Sequence, residues 1–215
     1  MPVPLPPLPP APGDDEEYRP GGRSVVDLLA EEHARIGGLL RELADPRLPA
    51  QRRSQVAQVL TATVSRHLSA EEQYLYPAMR ASLPDGGPLA DREIAADTEV
   101  LRMLRDLAGT APEDPRFGGL ADDLGGKLRR HADAADREIF PVLREVATDA
   151  ELIRLGNRVE IAEEAAPTRP HPGHPVSPPW NRVVEPALGV VDKVRDAVTG
   201  RRTYVEDLGN RPQPR

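Results

Sequence analysis

Apolar residues return every three or four positions in four separate stretches of the chain, the mark of helices that each bury one face. The first stretch carries Val26, Leu29, His33, Ile36, Leu40 and Leu43. Ser24, three residues before Asp27, provides a capping start, and Asp45-Pro46 an end. The second, about 50–82, carries Val56, Leu60, Val64, His67, Glu71, Leu75 and Ala78. Pro77 lies inside this pattern and predicts a kink or a tightening of the last turns. After the turn Pro84-Asp85-Gly86-Gly87, a third stretch at about 88–108 carries Ile94, Asp97, Leu101, Leu104 and Leu107. The fourth, about 116–147, carries Leu120, Leu124, Leu128, His131, Ala135, Ile139 and Val142. Four helices with short links, and no alternating strand pattern, predict an all-α, up-down-up-down antiparallel four-helix bundle over 23–147. The glycine pairs Gly37-Gly38, Gly118-Gly119 and Gly125-Gly126 read as points of close helix approach.

Every seam is interrupted by polar residues at a similar depth: His33, then His67 with Glu71, then Asp97, then His131. The interruptions belong to a repeat. RHLSAEEQYLYP at 66–77 recurs sixty-four residues later as RHADAADREIFP at 130–141, and HARIGGLLREL at 33–43 aligns with DTEVLRMLRDL at 97–107. Two positions break it: Asp97 pairs with His33, and Ala135 with Glu71. His67 and Glu71, four apart, share one helix face and can ligate one ion. Burying Glu71 and Asp97 alone is costly, and a cation neutralises both while using the imidazole lone pairs. A hydrogen-bonded network of these groups with no metal is the alternative.

Outside the bundle the pattern changes. Residues 1–22 are Pro-rich and then acidic, and read as a disordered or polyproline arm. A further helix is expected over 148–166, capped by Thr148 or Asp149. The prolines of 167–180 forbid regular structure there. They frame His171 and His174, whose extended setting does not hold a metal rigidly. Ala187, Val191, Val194 and Val198 stripe a short amphipathic helix at 181–200, suited to docking on the bundle or on another protein, and 201–215 reads as a flexible tail.

Composition narrows the chemistry. The chain has 215 residues, a net charge of −7 and no cysteine. That excludes thiolate sites and disulfides and argues against a nucleic-acid partner. No stretch is apolar enough to span a membrane, and the N-terminus lacks the features of a secretory signal, so a cytoplasmic location is expected. Lys127 and Lys193 are the only lysines, and with abundant Ala, Pro and Gly this suggests a GC-rich bacterial genome.

The residues from about 24 to 147 resemble the hemerythrin-like, or HHE cation-binding, domain family. That family's pattern is one His on helix one, HxxxE on helix two, one His on helix three and HxxxE on helix four. The resemblance implies a hemerythrin-like bundle holding a non-haem di-iron centre, with bridging glutamates and an open position for a small diatomic ligand. It assigns His33, His67, Glu71 and His131 as ligands, Asp97 as a substitute oxygen ligand, and leaves Ala135 where a bridging Glu is expected. The Tyr76-Pro77 and Phe140-Pro141 endings match as well. Glu72 and its mate Asp136 are candidates to orient the ligands from outside the coordination sphere. Asp136 replaces the missing Glu only if its helix rotates or bulges. Three arrangements stand open: an altered di-iron site, a mononuclear iron site, or none. Tyr74 and Tyr76 read mainly as packing residues. The expected function is iron-dependent response to oxygen, nitric oxide or redox state. A metal-free interaction module is one alternative, and a metal-dependent oxidase or peroxide scavenger another.

Overall fold

The computed structural model describes residues 20–171, 192–193, 195–197 and 199–209, and contains no strand among them. Helix α1 spans Val25–Leu43, α2 Ala50–Ala70, α3 Tyr76–Ser82, α4 Gly86–Ala108, α5 Arg116–Ala134, α6 Phe140–Val146 and α7 Asp149–Ala165. Each helix of the bundle packs on its sequence neighbour and on one other. α1 lies on α2 and α5, and α4 lies on α5 and on α2 with its continuation α3. This is the antiparallel four-helix arrangement that the seams describe. The Ser24 hydroxyl accepts the Asp27 N–H at 3.2 Å and sets the start of α1.

The two repeats share a local irregularity. Between α2 and α3, residues Glu71–Leu75 form a π-turn in which the Tyr76 N–H donates to the Glu71 carbonyl. Between α5 and α6, Ala135–Ile139 do the same, with Phe140 N–H donating to Ala135. Pro77 predicts a kink or a tightening of its helix, and the turn before it is widened, not tightened. A proline offers no N–H and crowds the carbonyl four residues back, and the wider turn moves that carbonyl away. The extra residue rotates the next turn of helix by about 100°. Tyr76 therefore returns to the face that carries Glu71.

The core divides into two apolar clusters. One holds Val25, Leu29, Leu75, Met79, Ile139, Phe140 and Leu143; the other holds Ile36, Leu40, Leu60, Leu104, Leu124 and Leu128. The polar interruptions of all four seams lie between them. Close backbone approach occurs at glycines other than the expected pairs. A Cβ on Gly118 or Gly119 would meet nothing within 4 Å, whereas one on Gly86 would sit 2.0 Å from the Met79 carbonyl oxygen. One on Gly156 would sit 2.2 Å from the Arg23 carbonyl oxygen.

α7 begins with a reciprocal cap between Thr148 and Glu151 and lies across α1, α2 and the first π-turn. Residues 201–209, expected to be part of a flexible tail, are instead docked on α2. Arg52 donates to the Leu208 carbonyl at 2.7 Å, and Arg66 donates to the Thr203 carbonyl and lies over the Tyr204 ring. Arginines on the outer face of α2 capture tail carbonyls, which a reading of tail polarity alone does not register. Asp192 and Asp196 face inward to Arg169, His171 and Thr168. Residues 1–19 of the expected arm, His174 and the rest of 172–180, and the stripe Ala187, Val191, Val194 and Val198 lie outside the described residues. No described helix is long and apolar enough to cross a membrane.

Candidate metal centre

Four helical segments each send a donor to one point between the apolar clusters: His33 from α1, His67 from α2, Glu71 from the first π-turn and His131 from α5. One donor atom of each lies within 4.8 Å of those of the others. His33 Nε2 is 3.1 Å from His67 Nε2, which is 3.4 Å from His131 Nε2. Glu71 closes the group, with Oε2 at 3.2 Å from His131 Nε2 and Oε1 at 3.6 Å from His67 Nε2. Donors around one first-row metal ion at about 2.0–2.1 Å sit roughly 2.9–3.5 Å apart in tetrahedral or octahedral shells. Three of the four separations fall within that range, and the fourth, 3.6 Å from Glu71 Oε1 to His67 Nε2, lies just outside it.

The donor set fits a cation on chemical grounds as well. Three imidazoles converge through Nε2 with one carboxylate beside them, a donor set of the kind that holds a first-row cation. Burial and the neighbouring His67 push His33 down to about 3, which leaves it neutral with a free lone pair. Burial opposes charge on His67, but Glu71 and Glu32 overcome it and hold the ring at about 9. His131 is likewise raised to about 10, against burial, by Glu71 and Asp97. Glu71, though wholly buried, is held well below the usual carboxylate range by His67 and His131. Protons on two rings thus supply the positive charge that a bound cation would supply in their place.

Asp97 is fully buried but falls outside the converging group. Its Oδ2 accepts the Tyr76 hydroxyl at 2.6 Å, and its Oδ1 lies 3.5 Å from His131 Nδ1, on the side of the ring away from the other donors. Burial and the charge of Glu71 raise Asp97 to about 7. Tyr76 also meets Glu71 Oε2 at 3.1 Å, so one hydroxyl joins the two buried acids. Glu72 is buried within the first π-turn. Asp136 faces solvent even though its helix bulges there; Ala135 keeps the inner face at 2% exposure.

Two further participants sit at helical spacing on buried faces, Glu32 three after Leu29 and Glu163 four after Val159. Glu32, next to His33, meets His67 Nδ1 at 2.9 Å. That contact fixes the proton on Nδ1 and presents Nε2 to the centre. Glu163 reaches Glu32 from α7. Tyr76 is visible in the sequence only as an aromatic residue before a proline.

A cavity of about 270 Å³ opens between α4 and α5, lined by Arg92, Glu93, Asp97, Lys127, His131 and Glu138. A larger one of about 580 Å³, at the other end of the bundle beside Arg105, Phe117 and Arg201, touches none of the converging donors.

Residues 18–143 match the family described as the hemerythrin HHE cation binding domain. A hemerythrin-like protein of Schizosaccharomyces pombe is 25% identical over 134 residues, which cover 62% of this chain and 66% of that protein. The chain therefore spans just under two thirds of that relative's length. The crystal structure of a hemerythrin HHE cation binding domain-containing protein from Mycobacterium kansasii superposes with a TM-score of 0.58 at 27% identity. It covers 66% of this chain and 85% of the other.

Proposed function

Because the chain belongs to the hemerythrin HHE cation-binding family, we propose that it holds one iron ion between His33, His67, His131 and Glu71 and responds there to a small diatomic ligand or oxidant. The convergence of three Nε2 atoms and one carboxylate at single-shell distances is the observation that supports this reading. It favours the mononuclear arrangement over the altered di-iron one. Ala135 offers no second carboxylate, and Asp97 is turned to Tyr76 and to the far side of His131. Iron bound there would supply a one-electron couple and open coordination positions.

The protein's own residues set the conditions. The two apolar clusters close the ends of the site and keep bulk water away from Glu71. Tyr76 holds Glu71 and Asp97 in place through one hydroxyl. The cavity between α4 and α5 reaches His131 and gives a small molecule a way in. No group in the cluster is arranged as a nucleophile with a base, so the reading is ligand or redox response and not turnover of an organic substrate.

Metal analysis after anaerobic Fe(II) loading tests it, with His67→Ala as control. About one iron per chain is expected in the native protein and a loss of stoichiometric iron in the variant. Two irons would restore the di-iron arrangement. None, in a folded protein, would leave the metal-free interaction module standing.

A further inference from the structure

We propose that Glu163 of α7 is a positioning residue of the metal centre: its carboxyl group hydrogen-bonds Glu32, and Glu32 in turn fixes the ring of His67. The inference rests on reading His67 as a metal ligand. It extends the site beyond residues 18–143, the part of the chain that the family covers.

The chain of contacts is continuous. His67 Nδ1 and Glu32 Oε2 are 2.9 Å apart, with His67 1% and Glu32 8% exposed. Glu163 hydrogen-bonds Glu32, and donor atoms of Glu32, His67 and Glu163 lie within 4.8 Å of one another. Two carboxyl groups in hydrogen-bonding contact need one proton between them. With that proton on Glu163, Glu32 stays free to take the Nδ1–H of His67 at 2.9 Å. Glu32 then accepts twice, from the acid of Glu163 and from the Nδ1–H of His67. A carboxylate held by two donors has little freedom to turn, and the ring it holds has little freedom to tilt.

α7 is built to hold Glu163 at that place. The Thr148–Glu151 cap fixes its start. Gly156 lets its backbone lie against the backbone of Arg23 at a distance no side chain would allow. Glu160 pairs with Arg23 at 2.8 Å, and Val159 and Ala162 are buried against the bundle. The contacts of Gly156, Val159, Glu160 and Ala162 lie within two turns of Glu163 and fix α7 in register and in depth.

The same three residues could be read as a second cation site. That reading asks His67 to give up its Nδ1 proton while Nε2 already ligates, so one ring would bridge two ions as an imidazolate. The hydrogen bonds already present satisfy all three groups without it.

The test uses the full chain loaded with Co(II), whose visible bands report the geometry around the ion. The variants are Glu163→Ala, Glu163→Gln and, on the exposed face of α7, Ile161→Ala. Glu163→Ala is expected to weaken Co(II) binding roughly tenfold or more and to shift the bands. Glu163→Gln, whose amide N–H still donates to Glu32, should restore both, and Ile161→Ala should change neither. Unchanged affinity and bands in Glu163→Ala would overturn the proposal, as would equal losses in the Ala and Gln variants. Loss of a second equivalent of metal in Glu163→Gln would replace it with the second cation site. A native protein that binds no Co(II) or iron would instead overturn the metal reading on which it depends. Thermal unfolding of the metal-free variants separates loss of position from loss of fold.

Discussion

The two halves of the bundle follow one backbone plan and carry different chemistry. α2, the π-turn and α3 repeat sixty-four residues on as the end of α5, the second π-turn and α6, with their boundaries in register. The side-chain contacts repeat too. His33 facing His67 at 3.1 Å corresponds to Asp97 facing His131 at 3.5 Å. Tyr76 donating to Asp97 at 2.6 Å corresponds to Phe140 stacked 6.0 Å from His33. The pairing fails where function would be decided. Glu32 orients His67, but its mate beside His131 is Ala96, and Glu71 has only Ala135 as a counterpart. One half concentrates donors and the groups that orient them. The other contributes a single donor, His131, and uses its remaining acid to satisfy a tyrosine. A symmetric fold thus supports an asymmetric centre, because backbone geometry depends on seams and prolines while coordination depends on a handful of positions.

The largest test of that contrast is to repair the second half. Asp97→His with Ala135→Glu restores the repeat at both broken positions and should raise metal content from about one to about two per chain. Ala135→Glu alone places a second carboxylate beside Glu71 at a site 2% exposed. Without metal it should cost roughly 2 kcal/mol or more in unfolding free energy, recovered on loading. A double variant that still binds one ion would show that these two substitutions are not what separates the halves.

A smaller effect ranks the two orienting acids. Glu32 sits 2.9 Å from its ring nitrogen, within hydrogen-bonding range, and Asp97 3.5 Å from its own, outside it. Glu32→Ala should therefore weaken metal binding roughly tenfold, and Asp97→Ala by distinctly less, measured by competition with a chelator. Equal losses would erase the distinction between a tightly and a loosely held histidine.

These differences are unequally legible in the chain. The seams, the repeat and the four convergent donors follow from periodicity, because a residue on a buried seam must face the other helices. The π-turns leave only prolines as a trace, and the turn before each is widened, not tightened. Asp97 reads as a ligand because it occupies the slot of His33. Its shorter side chain reaches Tyr76 and the far nitrogen of His131 instead. Glu32 and Glu163 sit at helical spacing on buried faces, three after Leu29 and four after Val159, but what each meets depends on how α7 docks, through a contact between Gly156 and Arg23, 133 residues apart. Asp136 shows the limit of local reasoning from the other side: its helix does bulge, and the residue still points to solvent.

The smallest effect concerns the residue that makes the second half self-sufficient. Tyr76 and Phe140 are repeat mates, and the hydroxyl is what distinguishes them. In Tyr76→Phe both halves carry a phenyl ring at this depth, and Glu71 Oε2 and Asp97 Oδ2 lose their shared donor. A net hydrogen bond to a buried charged group contributes about 1.5 kcal/mol, so the metal-free protein should lose about that much stability in denaturant unfolding. The loaded protein should lose less, because an ion on Glu71 relieves one of the two acids. Asp97 remains, fully buried and facing only His131. If the two forms lose stability equally, the hydroxyl serves Asp97 alone, and the centre draws no support from the second half beyond His131 itself.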